Sequence, residues 1–365
     1  MIDFRYHLVS VISVFLALAV GIALGAGPLE QTIGDTLTGQ VDQLRTEKEE
    51  LRTELDATTA ELAQSDAAFA AAAPTVLDGV LEGRRIAVIQ TDEVTPEVRD
   101  QVAERLVQAG ASVTATVQVT DLWTDPDQRS FRQGIAGTLV QWLDPAPDED
   151  AGTGTELAEA LAQSLTAAAP TDPDVRRDDA VTVLDLLVES GLVTVEGDIR
   201  FPADAIVILA GPTTAAAEDE PVASPTPSEA DEVVAERAEA RLGAARQISA
   251  AAQARSGGAV VAGGEVTELT LVDRIRQDDD LQGRISTVGS VHTTLGQVSV
   301  PLALSARLGG TVGHYGPGLD AAALLPPHIV LPPFVRVAQE PGVPDPTVEP
   351  VDPNATAAPD GDGQG

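Results

Sequence analysis

The chain contains no cysteine. Disulfides, zinc–thiolate centres and a cysteine nucleophile are therefore excluded, and nothing follows about the redox state of its compartment. Its single methionine is Met1, so soft sulfur ligands are missing from everything after it. Aromatic residues make up 3%, which leaves any core to small aliphatic side chains. Basic residues are scarce as well, 22 against 57 acidic ones for a formal charge of -35. Binding to a nucleic-acid backbone rests on Lys and Arg releasing counterions, so nucleic acid is not expected among the partners. Neither G-x-G-x-x-G nor a phosphate loop ending in Gly-Lys-Ser/Thr occurs, and no serine lies in G-x-S-x-G. His7, His292, His314 and His328 show no H-x-x-x-H or H-x-H spacing. This inventory assembles no nucleophile, base and orienting group, so neither an enzyme nor a cofactor is predicted.

What is present begins with a run of twenty uncharged residues, Leu8 to Gly27. At about 1.5 Å per residue such a run crosses a hydrocarbon core roughly 30 Å thick. It predicts a transmembrane helix over 8–27 behind a short amino terminus, 1–7. The alternative is a cleavable signal, for which Ala23-Leu24-Gly25 offers the small-residue ending. Arg5 precedes the run and no Lys or Arg follows until Arg45. The positive-inside bias then leaves the amino end in the cytoplasm and the rest outside the cell membrane. Ala17, Gly21 and Gly25 stand four apart, a small-residue face along which two helices in a bilayer approach closely.

A seven-residue rhythm follows over 36–72. With Leu37, Leu44, Leu51, Thr58 and Ser65 at position d, position a holds Val41, Lys48, Leu55, Leu62 and Phe69. This predicts a coiled-coil stalk, its seam formed by Leu37, Val41, Leu44, Leu51, Leu55 and Leu62. Glu47 at g and Arg52 at e meet across two parallel chains, which favours a parallel homodimer. The alternative is an amphipathic helix packed on the chain's own globular domain, since Thr58, Ser65 and Lys48 weaken the seam.

Beyond Pro74 the pattern becomes mixed. Arg85 to Gln90 is a short apolar strand; Thr95-Pro96-Glu97 opens a helix with a capping residue, a proline and an acid in its first turn. Val98, Val102 and Leu106 give it a buried stripe, and Ala111 to Val119 follows as a second strand. The unit should be right-handed and parallel. Further strands are expected at 205–209, 259–262 and 285–288, with helices near 155–168, 178–190, 230–256, 266–277 and 294–308. Pro301 either kinks the last helix or delays its start to near Ser299. Such alternation implies an α/β, Rossmann-like parallel sheet covered by helices on both faces. We read one domain over 84–337, interrupted by a Pro- and acid-rich linker at 213–231, with two separate domains as the alternative. A disordered acidic tail is expected at 338–365.

Ligands of an open parallel sheet gather at the carboxyl ends of its strands. The candidates there are Thr91-Asp92, Gly211-Pro212 and Gly263-Gly264-Glu265, the last read as a tight turn more readily than as an anion site. Asp278-Asp279-Asp280 is a candidate for a hard cation or simply a solvated acidic helix end.

The order of these segments, starting Met1-Ile2-Asp3-Phe4-Arg5-Tyr6-His7 and closing near Gly313-His314-Tyr315-Gly316, resembles the mycobacterial copper transport protein B (MctB-like) family. The likeness spans roughly residues 1 to 337. Its more specific pieces are Phe15 to Gly21 with Gly25, and Ile285-Ser286-Thr287-Val288 leading through a helix to His314-Tyr315-Gly316. The resemblance implies an actinobacterial envelope protein, placed as far out as the outer envelope, acting in copper transport or homeostasis. The rival is a non-transporting dimeric scaffold for envelope integrity or division, with an envelope or division protein as partner. The family's aspartates and Thr-Pro-Ala-Gly stretch before the last helix are replaced here by Gly289 to Gly296, which weighs against a ligand role for that loop. Copper(I) prefers sulfur, so a copper role would have to be indirect, use histidine such as His292 or His314 with carboxylates for copper(II), or require an oligomer.

Overall fold

The structure, a computed structural model, describes residues 4–25, 29–211, 229–267, 270–318 and 320–336, with side chains described except at 24–39, 42 and 229–233. Two compact units divide it at Ala67/Ala68. The expected tail at 338–365 and residues 213–228 of the expected linker lie outside the described residues.

The first unit begins with α1 (Phe4–Gly25). Its stretch Phe4–Ala23 is long and apolar enough to cross a membrane, with a mean hydropathy of 2.2 and no residue buried by protein. Helix α2 (Leu29–Leu77) overruns the predicted 36–72 at both ends. Its threonines are tolerated mid-helix because Thr53, Thr58 and Thr59 donate back to the carbonyls of Glu49, Glu54 and Leu55 at 2.8, 2.9 and 2.7 Å. Along it Val41, Leu44, Leu51, Leu55 and Leu62 stay exposed, from 44% at Val41 to 70% at Leu62.

In the second unit the end of α2 runs on through Pro74 to Leu77, because Ala73 and Leu77 bury fully against the domain core. The remaining elements are β1 (Arg85–Gln90), α3 (Pro96–Gln108), β2 (Ser112–Val119), α4 (Arg129–Leu139), α5 (Thr153–Thr166), β3 (Ala168–Ala169), β4 (Asp172–Arg176), α6 (Asp178–Glu189), β5 (Val193–Glu196), β6 (Ala205–Ala210), α7 (Glu229–Ala254), β7 (Ala259–Gly263), α8 (Leu271–Gln277), β8 (Ser286–Val288), α9 (Thr294–Leu308) and β9 (His314–Tyr315). The main sheet has the order β5-β2-β1-β6-β7-β8-β9. All its pairings are parallel except β2 with β5. β3 and β4 form a separate antiparallel hairpin.

Alternation along the strands sorts the core into two layers. Ala87, Ile89, Ile206, Ile208 and Val261 face one side, with Leu157, Leu161 and Ile248 on the helices that cover it. Ile86, Val88, Val207, Leu209 and Val260 face the other, against Val98, Val102 and Leu106 of α3 and Val298 and Leu302 of α9. Strands buried on both faces read as unbroken apolar runs, as these do.

The structure corrects one local expectation, decides another and adds elements that went unread. Helix α8 starts at Leu271 rather than 266, because Thr270 caps it, its hydroxyl accepting from Asp273 N at 3.3 Å. Helix α9 spans its expected 294–308 and does not wait for Ser299: Thr293 caps it by accepting from Gly296 N at 3.2 Å, and Pro301 sits inside it. Five elements of the domain went unread: α4, the hairpin strands β3 and β4, the antiparallel edge strand β5 and the two-residue β9.

Candidate functional site

Counted in chain order, the parallel strands β2-β1-β6-β7-β8 lie 2-1-3-4-5. The winding reverses between β1 and β6, and the carboxyl ends on either side of such a reversal leave a crevice. A cleft of about 210 Å³ opens there, lined by Thr91, Asp92, Ala210, Gly211, Arg241 and Leu271 among others, and a second of about 520 Å³, sharing Thr91, Asp92 and Arg241 with it, lies at the carboxyl ends of β1 and β2 with Gln118, Thr120 and Asp121. Gly211 ends β6 where a Cβ would stand 2.7 Å from the Glu93 carbonyl oxygen, so a larger residue would force the two strand ends apart. Arg241 on α7 reaches across to Asp121 at 2.9 Å, and Gln118 Nε2 donates to the Asp92 carbonyl at 3.4 Å. The sequence-predicted Thr91-Asp92 and Gly211 thus meet at one crevice. The larger cleft carries Asp92, Glu93 and Asp121 against the single lining cation Arg241, a balance unsuited to phosphate. Gly263-Gly264 is not part of it. The carbonyls of Gly263 and Gly264 accept from Val291 N and Ser290 N at 2.9 and 2.6 Å, a packed junction between β7 and the loop after β8.

The histidines do not converge. His7 and His328 are exposed. His292 has a buried Nδ1 with no hydrogen-bond partner among the described residues. His314 is engaged at both ring nitrogens, by Thr287 Oγ1 at 2.9 Å and by the Gln282 carbonyl at 3.1 Å. Arg276, buried to 6% exposure, donates from Nε to the same Thr287 hydroxyl at 3.0 Å and from its terminal nitrogen to the Tyr315 carbonyl at 2.9 Å. Burial, and then the Arg276 charge, lower the His314 pKa below its ordinary value, so the ring is held neutral. A neutral imidazole is the form that ligates metal, but both of its nitrogens are already spent. No group of three His, Cys, Asp or Glu among the described residues is placed to hold a metal ion.

Asp278 serves structure. Its carboxylate accepts from Asp280 N and Leu281 N at 3.0 and 3.1 Å and pairs with Arg246. Burial pulls its pKa up, and those amides with the Arg246 guanidinium outweigh that pull and hold it low.

A family profile described as "Copper transport outer membrane protein, MctB" matches residues 1–326. The chain belongs to the MctB family. A "Copper transporter MctB" of Mycobacterium tuberculosis is 28% identical over 336 residues, 89% of this chain and 99% of that protein. The protein of the same description from Mycobacterium leprae is 29% identical over 342 residues, covering 90% of this chain and all of the relative. These relatives are named as transporters, not enzymes. The family description and the apolar helix α1 fit a membrane-anchored envelope protein. Sequence reasoning missed the Arg276–Thr287–His314 chain, because its members sit on α8, β8 and β9 and only sheet pairing brings them together.

Proposed function

We propose that this chain serves copper transport and homeostasis at the cell envelope, as a single-pass protein with its α/β domain outside the cytoplasmic membrane. Family membership over residues 1–326 carries the reading. The run 8–27 with Arg5 ahead of it supports an uncleaved anchor whose amino end, 1–7, is cytoplasmic. The exposed stripe from Val41 to Leu62 supports a coiled-coil stalk and a parallel homodimer, with Leu37 as its first seam residue. Ala17, Gly21 and Gly25 support close helix approach within the bilayer. The 2-1-3-4-5 strand order supports a Rossmann-like, doubly wound domain over 84–337.

How copper is handled follows from the donors. Copper(I) favours thiolate and thioether sulfur, and the chain offers Met1 alone. The main sheet is open, edged by β5 and β9, whereas outer-membrane channels are closed barrels. We infer that copper is moved by an assembly to which this chain contributes, formed with a second copy or an envelope partner, and not through a pore inside its α/β domain.

The test is a deletion strain grown across a copper series, with cell-associated copper, wall permeability and cell shape measured together. Copper sensitivity with raised cell copper, restored by the wild-type chain, is the expected primary defect. A shape or permeability defect at unchanged copper tolerance would sink the proposal in favour of a scaffold for envelope integrity or division.

A further inference from the structure

One corner of the second unit reverses the charge balance of the chain. At the amino ends of β1 and β2, at the opposite end of these strands from the crevice, a cleft of about 470 Å³ is lined by Arg85, Arg200, Arg336, Asp198, Thr114 and Phe201 among others. Arg85 is fixed by Asp174 at 2.7 Å and lies 4.4 Å from the Phe201 ring centre. Arg336 pairs with Asp204, donates to the Gly83 carbonyl at 2.9 Å and lies 4.7 Å from the Phe334 ring. Arg84, buried to 7% exposure, stands 4.6 Å from that same ring. Four guanidiniums thus face the three carboxylates Asp174, Asp198 and Asp204, in a chain where acids outnumber bases 57 to 22.

Two groups in this corner have no partner among the described residues. Arg200, in the loop between β5 and β6, is exposed and makes no hydrogen bond or ion pair there. Thr114 Oγ1 is buried and unbonded, although a buried hydroxyl without a partner costs free energy and is rare in folded proteins. A free guanidinium fork lining the same cleft as an unsatisfied hydroxyl, with two positive charges already locked in place there, is the arrangement that takes an oxyanion. The oxygens of a phosphate are not coplanar, so one phosphate can meet donors arriving from separate elements, the β5–β6 loop and β2. A planar carboxylate fills one fork and leaves the hydroxyl unmet.

We propose that this cleft binds the phosphate group of an anionic ligand, with Arg200 and Thr114 as direct contacts and Arg85 and Arg336 as fixed charges sustaining the site against the chain's negative field. A phospholipid headgroup and a soluble phosphate offer the same chemistry, and the test separates them.

Full-length protein in an uncharged detergent is titrated calorimetrically with inorganic phosphate and, separately, with monomeric dihexanoyl phosphatidylglycerol. At least one of the two should bind once per chain. Arg200→Ala should weaken that binding about tenfold or more, the loss of a charge-assisted pair, and Thr114→Val by less. Arg241→Ala, in the crevice at the other end of the strands, should leave it unchanged. Binding of inorganic phosphate assigns the ligand to solution; binding of phosphatidylglycerol alone assigns it to a headgroup. Arg200 is exposed, so its variant should melt like the wild type, and thermal unfolding of both checks this. Failure of both probes to bind overturns the proposal, as does equal binding by Arg200→Ala or loss of binding in Arg241→Ala.

Discussion

Thr287 Oγ1 lies 2.9 Å from His314 Nδ1, and this contact fixes the state of the ring. Arg276 Nε already donates to that hydroxyl oxygen at 3.0 Å, so the hydroxyl hydrogen is directed at the imidazole. His314 then carries its proton on Nε2 and donates it to the Gln282 carbonyl at 3.1 Å. A second proton on Nδ1 would set donor against donor beside a buried guanidinium.

The pH dependence of stability follows in sign. Burial, followed by the Arg276 charge, lowers the folded-state pKa of His314 from 6.5, so below that value the unfolded chain takes up the proton more readily. The stability contribution is present above the unfolded pKa and is lost as pH falls through it toward the folded value. Melting temperatures measured from about pH 7.5 to about pH 5.5 should fall, and the fall should be shallower in His314→Asn. Parallel curves for the two proteins would remove His314 from the account.

The turn entering α9 stores strain. Ser290 has φ 57°, and a Cβ on Gly296 would stand 2.2 Å from the Ser290 carbonyl oxygen. Ser290→Gly should therefore be neutral or stabilising by up to about 1 kcal/mol, since glycine adopts this conformation freely. Gly296→Ala must displace backbone and should cost about 2 to 3 kcal/mol. Urea midpoints with matched slopes measure both, and a neutral Gly296→Ala would show that the turn yields.

Burial separates two arginines of α7 and its carboxyl end. Arg255 donates to Gln163 Oε1 at 2.8 Å and to the Pro145 carbonyl at 2.7 Å and pairs with Glu159, with 9% of its side chain exposed. Arg241 meets Asp121 with 46% and 86% of the two side chains exposed. Arg255→Met should cost about 3 kcal/mol by leaving Glu159 unpaired, whereas Arg241→Ala should stay within about 0.5 kcal/mol. Arg255→Lys should restore little, because one ammonium does not span three acceptors in a plane. Equal losses for the two sites would refute the ranking.

How legible this was depended on where each interaction partner lies. β1 was predicted over Arg85 to Gln90 and is found there, and β6, β7 and β8 differ from expectation by one residue at an end. Each is an apolar run whose burial is written in its own residues. β5 escaped because an antiparallel edge strand, Val193–Glu196, buries only one face, and β9 because two residues carry no period. In α4, Gly134 and Gly137 hid the stripe that includes Ala136 and Leu139. Thr91-Asp92 and Gly211 were legible as strand ends, which the crevice joins. Arg276 reads as a basic helix end, and its burial comes only from the β8–β9 pairing opposite.

The stalk seam is tested most directly by the feature this chain lacks. With no native cysteine, a single introduced one reports only its own neighbourhood. In membranes of cells carrying the full-length chain, Leu44→Cys, Leu51→Cys and Leu55→Cys should each form disulfide-linked dimers on mild oxidation, since residues at a and d face their own counterparts in a parallel pair. Thr53→Cys, at the outward f position of the same turn, should not. Changing Leu44, Leu51 and Leu55 together to polar residues removes roughly 2 kcal/mol of burial for each side chain and chain, so a reporter cysteine at position 62 should then lose its cross-link. Cross-linking at Thr53 as strong as at Leu51 would show random collision instead of a seam. Its absence at all four positions would refute the parallel pair and leave the exposed stripe on α2 to a different partner.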